Sequence, residues 1–134
     1  MGVIIDTSIW IDIERGTLKP VDVAERIHND AVFLTPTILA ELQYGVERAS
    51  TPAKRNLRLS AITRLQRKPC LMINNDTGII FGRIAAGLDN KGKPSNCRIH
   101  DLWIAASTIQ HGFQLLTQNT SDFEDIAGLK LIAM

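Results

Sequence analysis

Short apolar runs alternate along this chain with longer segments in which apolar residues recur at helical spacing. Gly2 to Ile5 is rich in β-branched residues and ends at Asp6. Ala31 to Leu34, Cys70 to Ile73, Phe113 to Leu116 and Leu129 to Ala133 are similarly short and apolar, and runs of this length read as strands. Between them the spacing predicts helices. Thr35-Pro36 supplies a capping hydroxyl followed by proline at the first helical position, so a helix should run from there to about Ala49. A basic helix over about Pro52 to Lys68 follows, then one over about Thr77 to Leu88. The last covers about Ile99 to His111, with Gly112 as its stop signal. Strands alternating with helices imply a parallel sheet covered by helices, an α/β domain. Asp89 to Asn96, with Gly92 and Pro94, reads as the exposed loop.

Composition narrows this picture only slightly. The 134 residues fit one domain, 1–134, and 45% apolar content is enough for a core and too much for a disordered chain. A net charge of +1 leaves partners open. Cys70 and Cys97 are too few for a disulfide framework and lack metal-site spacing, so a reduced, cytoplasmic protein is expected. Asp6 interrupts the opening apolar run, which has no basic residues before it, so no signal peptide is expected. No stretch approaches the ~18 uninterrupted apolar residues of a membrane span.

Candidate chemistry lies in carboxylates placed where apolar residues would be cheaper. Asp6 directly follows Ile4-Ile5, at the carboxyl end of a strand, where α/β sheets bind ligands. A helix N-cap is the alternative role. Glu41 sits among Ile38, Ala40 and Leu42 and should lean back toward the end of the Ala31–Leu34 strand, unless it is solvated on an outer face. Asp101 shares the i, i+3, i+4, i+7 stripe of Ile104, Ala105 and Thr108, an expensive place for an unpaired charge, although helix-start aspartates also favour the macrodipole. Thr117 to Phe123, directly after the Phe113–Leu116 strand, supplies Asn119 and Asp122, or only a capping turn. Crowded carboxylates repel, and a hard divalent cation removes that conflict, which favours Mg2+ with Mn2+ as an alternative. His28, His100 and His111 are scattered and offer zinc no better site, and His100 is expected to be structural or exposed.

Four motifs in order, Val3-Ile4-Ile5-Asp6-Thr7-Ser8, Thr35-Pro36-Thr37 through Glu41-Leu42 and Gly45, His100-Asp101-Leu102-Trp103-Ile104-Ala105-Ala106, and Leu116-Thr117-Gln118-Asn119 through Asp122-Phe123, resemble the PIN domains, especially the bacterial VapC toxins. The resemblance covers essentially the whole chain. It implies a PIN fold, a three-layer α/β/α arrangement with a short parallel sheet, and a metal-dependent endoribonuclease acting as the toxin of a toxin–antitoxin pair. Asp6, Glu41 and Asp101 match the family's principal acids and are the implied metal ligands. Asn119 stands where the family often has Asp, with Asp122 able to contribute in its place. Thr7, Ser8 and Thr117 are expected to orient ligands or water. The implied substrate is RNA, with transfer RNA and its initiator anticodon stem-loop the leading target. The implied partners are a VapB-type antitoxin and a second copy of the chain, in a homodimer and a toxin–antitoxin hetero-oligomer, with no membrane association.

Basic residues must offset the acids if RNA is to bind. Arg48 to Lys68 holds seven basic residues and no acid, including Arg48, Lys54 and Arg55, while Lys91, Lys93 and Arg98 lie in or just after the exposed loop. A solvated face, or a surface for an acidic antitoxin segment, accounts for the helix as well. A receiver domain would need an aspartate ending its third strand, where Asn74-Asn75 stands, and a haloacid-dehalogenase-type phosphatase would need Asp in place of Ser8. A non-catalytic binding module and a housekeeping RNA-maturation nuclease remain as alternatives.

Overall fold

The computed structural model describes residues 1–96 and 98–134. Among the described residues, four strands form one sheet: β1 Gly2–Ile5, β2 Ala31–Phe33, β3 Gln114–Thr117 and β4 Lys130–Ala133. Their order is β2-β1-β3-β4 and every pairing is parallel. β1 is central, with Ile4 opposite both Phe33 and Leu115.

Because successive strand residues point to opposite faces, β1 feeds two cores. Val3 and Ile5 join Ile9, Val23, Ile27 and Leu116 on one side. Ile4 and Leu115 join Leu34, Ile38, Leu88, Leu102 and Ile104 on the other. Helices α1 (Thr7–Arg15) and α2 (Pro20–Ile27) cover the first face. Helices α3 (Pro36–Glu47), α5 (Asn75–Asn90) and α6 (Ile99–Gln110) cover the second, and α4 (Pro52–Leu65) adds Leu65 to it. The architecture is the expected three-layer α/β/α.

Local chemistry sets most helix starts. Thr35 Oγ1 accepts the Ile38 N–H at 3.3 Å, with Pro36 in the first turn. α5 begins before the expected Thr77 because Asn74 and Thr77 form a reciprocal capping box. The expected strand at Cys70–Ile73 is a correction. Only Cys70 pairs with the sheet, through a single parallel bridge to Leu34, and the Leu71 N–H donates to the Leu34 carbonyl at 2.7 Å. Met72 and Ile73 beyond it are exposed, so no buried face holds that segment in register. Cys70 is a half-buried free thiol, pushed up in pKa by burial, whereas Cys97 lies outside the described residues. Among the described residues no helix is long and apolar enough to cross a membrane.

Candidate active site

The carboxyl ends of the two central strands lie side by side, because β1 and β3 are adjacent and parallel. β1 delivers Asp6 and β3 delivers Thr117, and the Asp6 N–H donates to the Leu116 carbonyl at 2.9 Å. Asp6 is 7% exposed and Thr117 is fully buried. Asp6 Oδ1 accepts the Thr7 N–H at 2.9 Å, so Asp6 caps α1, and Oδ2 accepts the Thr117 hydroxyl at 2.8 Å. The capping role and the site role therefore coincide in one residue. Burial still pushes the Asp6 carboxyl up, against the lowering effect of both hydrogen bonds, and the Asp122 charge adds to the rise.

Glu41 comes from the second turn of α3. It accepts the Thr7 hydroxyl on Oε1 at 2.9 Å, at the start of α1 just past the end of β1. Its carboxyl is pushed up by burial, opposed by the Thr7 hydrogen bond and His100 and reinforced by Asp6. Asp101 lies in the first turn of α6 on the edge of that helix's buried face, where Ile104, Ala105 and Thr108 are fully buried. Its carboxyl is pushed up to about 6, first by burial and then by the Asp6, Asp122 and Glu41 charges, with Arg98 opposing them. Asp122 ends a short 3-10 turn, Thr120–Asp122, and is itself exposed. Four carboxylates from four separate segments thus share one electrostatic neighbourhood.

Asn119 joins the site through its backbone. Its N–H donates to Thr117 Oγ1 at 3.0 Å, while its side chain is exposed and hydrogen-bonds none of the acids among the described residues. The Thr117 hydroxyl therefore links Asp6 to the backbone of the closing motif. Ser8 Oγ is buried with no hydrogen-bond partner, so of the three supporting hydroxyls only Thr7 and Thr117 are bonded into the cluster. Thr117→Val should raise the Asp6 pKa further, because the hydrogen bond that favours its ionised form is lost. It should also reduce activity about 10- to 100-fold, as loss of a ligand-orienting partner does. NMR titration of the Asp6 carboxyl checks the first effect, and an unmoved or lowered pKa would contradict the role given to Thr117.

The basic residues separate into two groups. Arg48, Lys54 and Lys91 are exposed. Arg55 pairs with Glu47 at 3.2 Å on the surface, a weak and salt-sensitive contact. Arg98 makes a two-pronged pair with Asp125, Nη1 to Oδ2 at 2.9 Å and Nη2 to Oδ1 at 3.0 Å. Lys93 joins the same carboxylate at 3.4 Å. Two features escaped the sequence reading. His100 is exposed as expected, yet its Nδ1 lies 3.9 Å from Glu41 Oε2 at the cleft mouth. An apolar groove between α1, α3 and α4, lined by Trp10, Ile11, Leu42, Ile62 and Leu65, also reaches Glu41. Both depend on inter-helix contacts that residue spacing does not specify.

Oxygen donors of this kind fit a hard divalent cation. Among the described residues no three carboxylate or imidazole groups close around one point.

A family model, that of the PIN domain, matches residues 3–129. Ribonuclease VapC1 of Rickettsia felis is 34% identical over the whole chain and 97% of its own length. The tRNA(fMet)-specific endonuclease VapC of Salmonella typhimurium is 31% identical over 84% of each chain. Among solved structures, VapBC-1 from nontypeable Haemophilus influenzae superposes with a TM-score of 0.82 at 27% identity, over 99% of this chain and 98% of that one. With the acid cluster at the carboxyl edge of a β2-β1-β3-β4 parallel sheet and a match over nearly its full length, the chain belongs to the PIN domain family, among the VapC ribonucleases.

Proposed function

We propose that the protein is a Mg2+-dependent endoribonuclease that hydrolyses RNA phosphodiester bonds and is held in check by a VapB-type antitoxin. The observation that carries this reading is the shared electrostatic neighbourhood of Asp6, Glu41, Asp101 and Asp122 at the carboxyl edge of the sheet, where Thr7 and Thr117 hydrogen-bond Glu41 and Asp6. Asp6 and Asp101 would hold the ion directly, with Glu41 holding it or one of its waters. When bound, the ion supplies positive charge against the phosphodiester and lowers the pKa of a coordinated water. Thr117 and Thr7 fix the orientations of the Asp6 and Glu41 carboxylates. His100, beside Glu41 and exposed, meets the RNA as it enters. Arg48, Lys54 and Lys91 offer positive charge to the phosphate backbone and should make binding salt-dependent.

Transfer RNA is the favoured substrate, on the strength of the Salmonella typhimurium relative. An antitoxin is supported by the neighbouring VapBC complexes and by the groove, because an apolar segment seated against Trp10 and Leu42 ends beside Glu41. Its occupant would therefore cover the cleft.

Purified, antitoxin-free protein incubated with total cellular RNA, with Mg2+ or with chelator, tests the reading when new 5′-phosphate ends are sequenced. One dominant metal-dependent cut, within transfer RNA, is expected. Folded, metal-loaded protein that cuts nothing would overturn the nuclease assignment in favour of a binding module.

A further inference from the structure

We propose that the Arg98–Asp125 pair is a positioning clamp that holds the turn carrying Asp122 against the start of the helix carrying Asp101. The inference rests on the nuclease reading of the acid cluster and adds residues to it.

Arg98 is the residue immediately before α6, and Asp101 lies in that helix's first turn. Asp125 lies beyond the 3-10 turn that ends at Asp122. Two parallel N–H···O contacts join the guanidinium to the Asp125 carboxylate, and the same guanidinium donates from Nη2 to the Asp122 backbone carbonyl. One side chain therefore spans the gap between the two acid-bearing segments. The pair is sheltered, with Arg98 17% and Asp125 12% exposed at the side chain, unlike the exposed Arg55–Glu47 pair at 45% and 57%. Phe123 and Ile126, both buried, anchor the turn on either side of Asp125. Such a fork is geometrically demanding, because a planar guanidinium meets both carboxylate oxygens at once and an ammonium cannot.

The clamp has a task. Asp101 and Asp122 carry like charges and tend to move apart, and Ser121, Asp122 and Glu124 of the turn are exposed. A cation tied to both segments resists that separation without itself binding substrate. The guanidinium engages a carboxylate and a backbone carbonyl together, one from each side of Phe123.

The full-length chain carrying Asp125→Asn or Arg98→Lys, each compared with wild type, tests the clamp by three measurements. In metal-free protein, amide hydrogen exchange at Asp122, Phe123 and Glu124 should accelerate in both variants while exchange in β1 and β3 stays slow. Calorimetric titration with Mn2+ alone should show about tenfold weaker binding. RNA cleavage should show a lower kcat with KM unchanged. Unaltered exchange and Mn2+ affinity in folded Asp125→Asn would overturn the clamp. A lower KM in that variant would also overturn it, because it would mean that Arg98 had been freed to bind phosphate. Wild-type protein that binds no Mn2+ would instead overturn the metal-dependent reading of the site, and the exchange data would still decide whether the turn is clamped.

Discussion

Asp101→Asn is expected to lower RNA cleavage by about three orders of magnitude while making the metal-free protein more heat-stable. On the proposed metal-dependent reading the loss follows from removing one of two direct ligands, since electrostatic stabilisation of several kcal/mol is at stake and ~1.4 kcal/mol is a factor of ten. The gain in stability has a separate cause. The Asp101 carboxyl titrates at about 6 in the folded protein against 3.8 for the free side chain, so folding favours its protonated form. Its contribution to stability is full below about pH 4 and is lost as pH rises through about 6. At neutral pH the ionised group is therefore a liability unless a cation is present, and Asn removes it. Thermal melting without divalent metal should show wild type gaining stability as pH falls from 7 to 5, a slope much reduced in Asp101→Asn. Asp125, whose carboxyl is lowered by its hydrogen bond to Arg98, loses its contribution only at lower pH and does not mask this window. Adding Mg2+ at pH 7 should stabilise wild type and leave the variant nearly unchanged. A variant that cuts RNA at the wild-type rate would remove Asp101 from the ligand set.

Phe123→Ala should have the largest effect on stability. Phe123 is 1% exposed and packs in the same core as Leu102, Ile104 and Ile126. Truncating a buried phenylalanine costs about 3–5 kcal/mol, a large part of the ~5–15 kcal/mol that holds a domain together. The urea midpoint should fall sharply with little change in slope. Because Asp122 and Asp125 flank this ring, the acid cluster should loosen before the sheet does, and Mn2+ binding should weaken at temperatures where β1 and β3 remain protected. A loss below about 1 kcal/mol would show that the turn is not anchored through this ring.

Much of the fold was legible because it is written locally. The Thr35-Pro36 start of α3 and the Gly112 stop after α6 depend on near neighbours, and the structure places both elements within a few residues of their expected bounds. The Cys70–Ile73 run misled for a physical reason. A short apolar run suits a strand, but a strand also needs a partner edge and a buried face, and neither is encoded in the run itself. α5 began early because the capping box is a reciprocal contact whose strength residue type alone understates.

The candidate site divides the same way. Asp6, Glu41 and Asp101 were visible as acids out of place among apolar neighbours, Asp122 only as part of a polar cluster after a strand, and the order of their motifs carried the resemblance to the PIN domains. Which acids meet, and through what, was decided by tertiary structure. Thr117 reaches Asp6 across 111 residues of sequence, Thr7 reaches Glu41 across 34, and Arg98 reaches Asp125 across 27. Periodicity and capping act over a few residues and are read from the chain directly. The side-chain contacts that turn Arg98 inward, leave Asn119 outside and set His100 beside Glu41 follow only once β1 and β3 lie parallel and α6 is packed beneath them, because each depends on where a distant segment comes to rest.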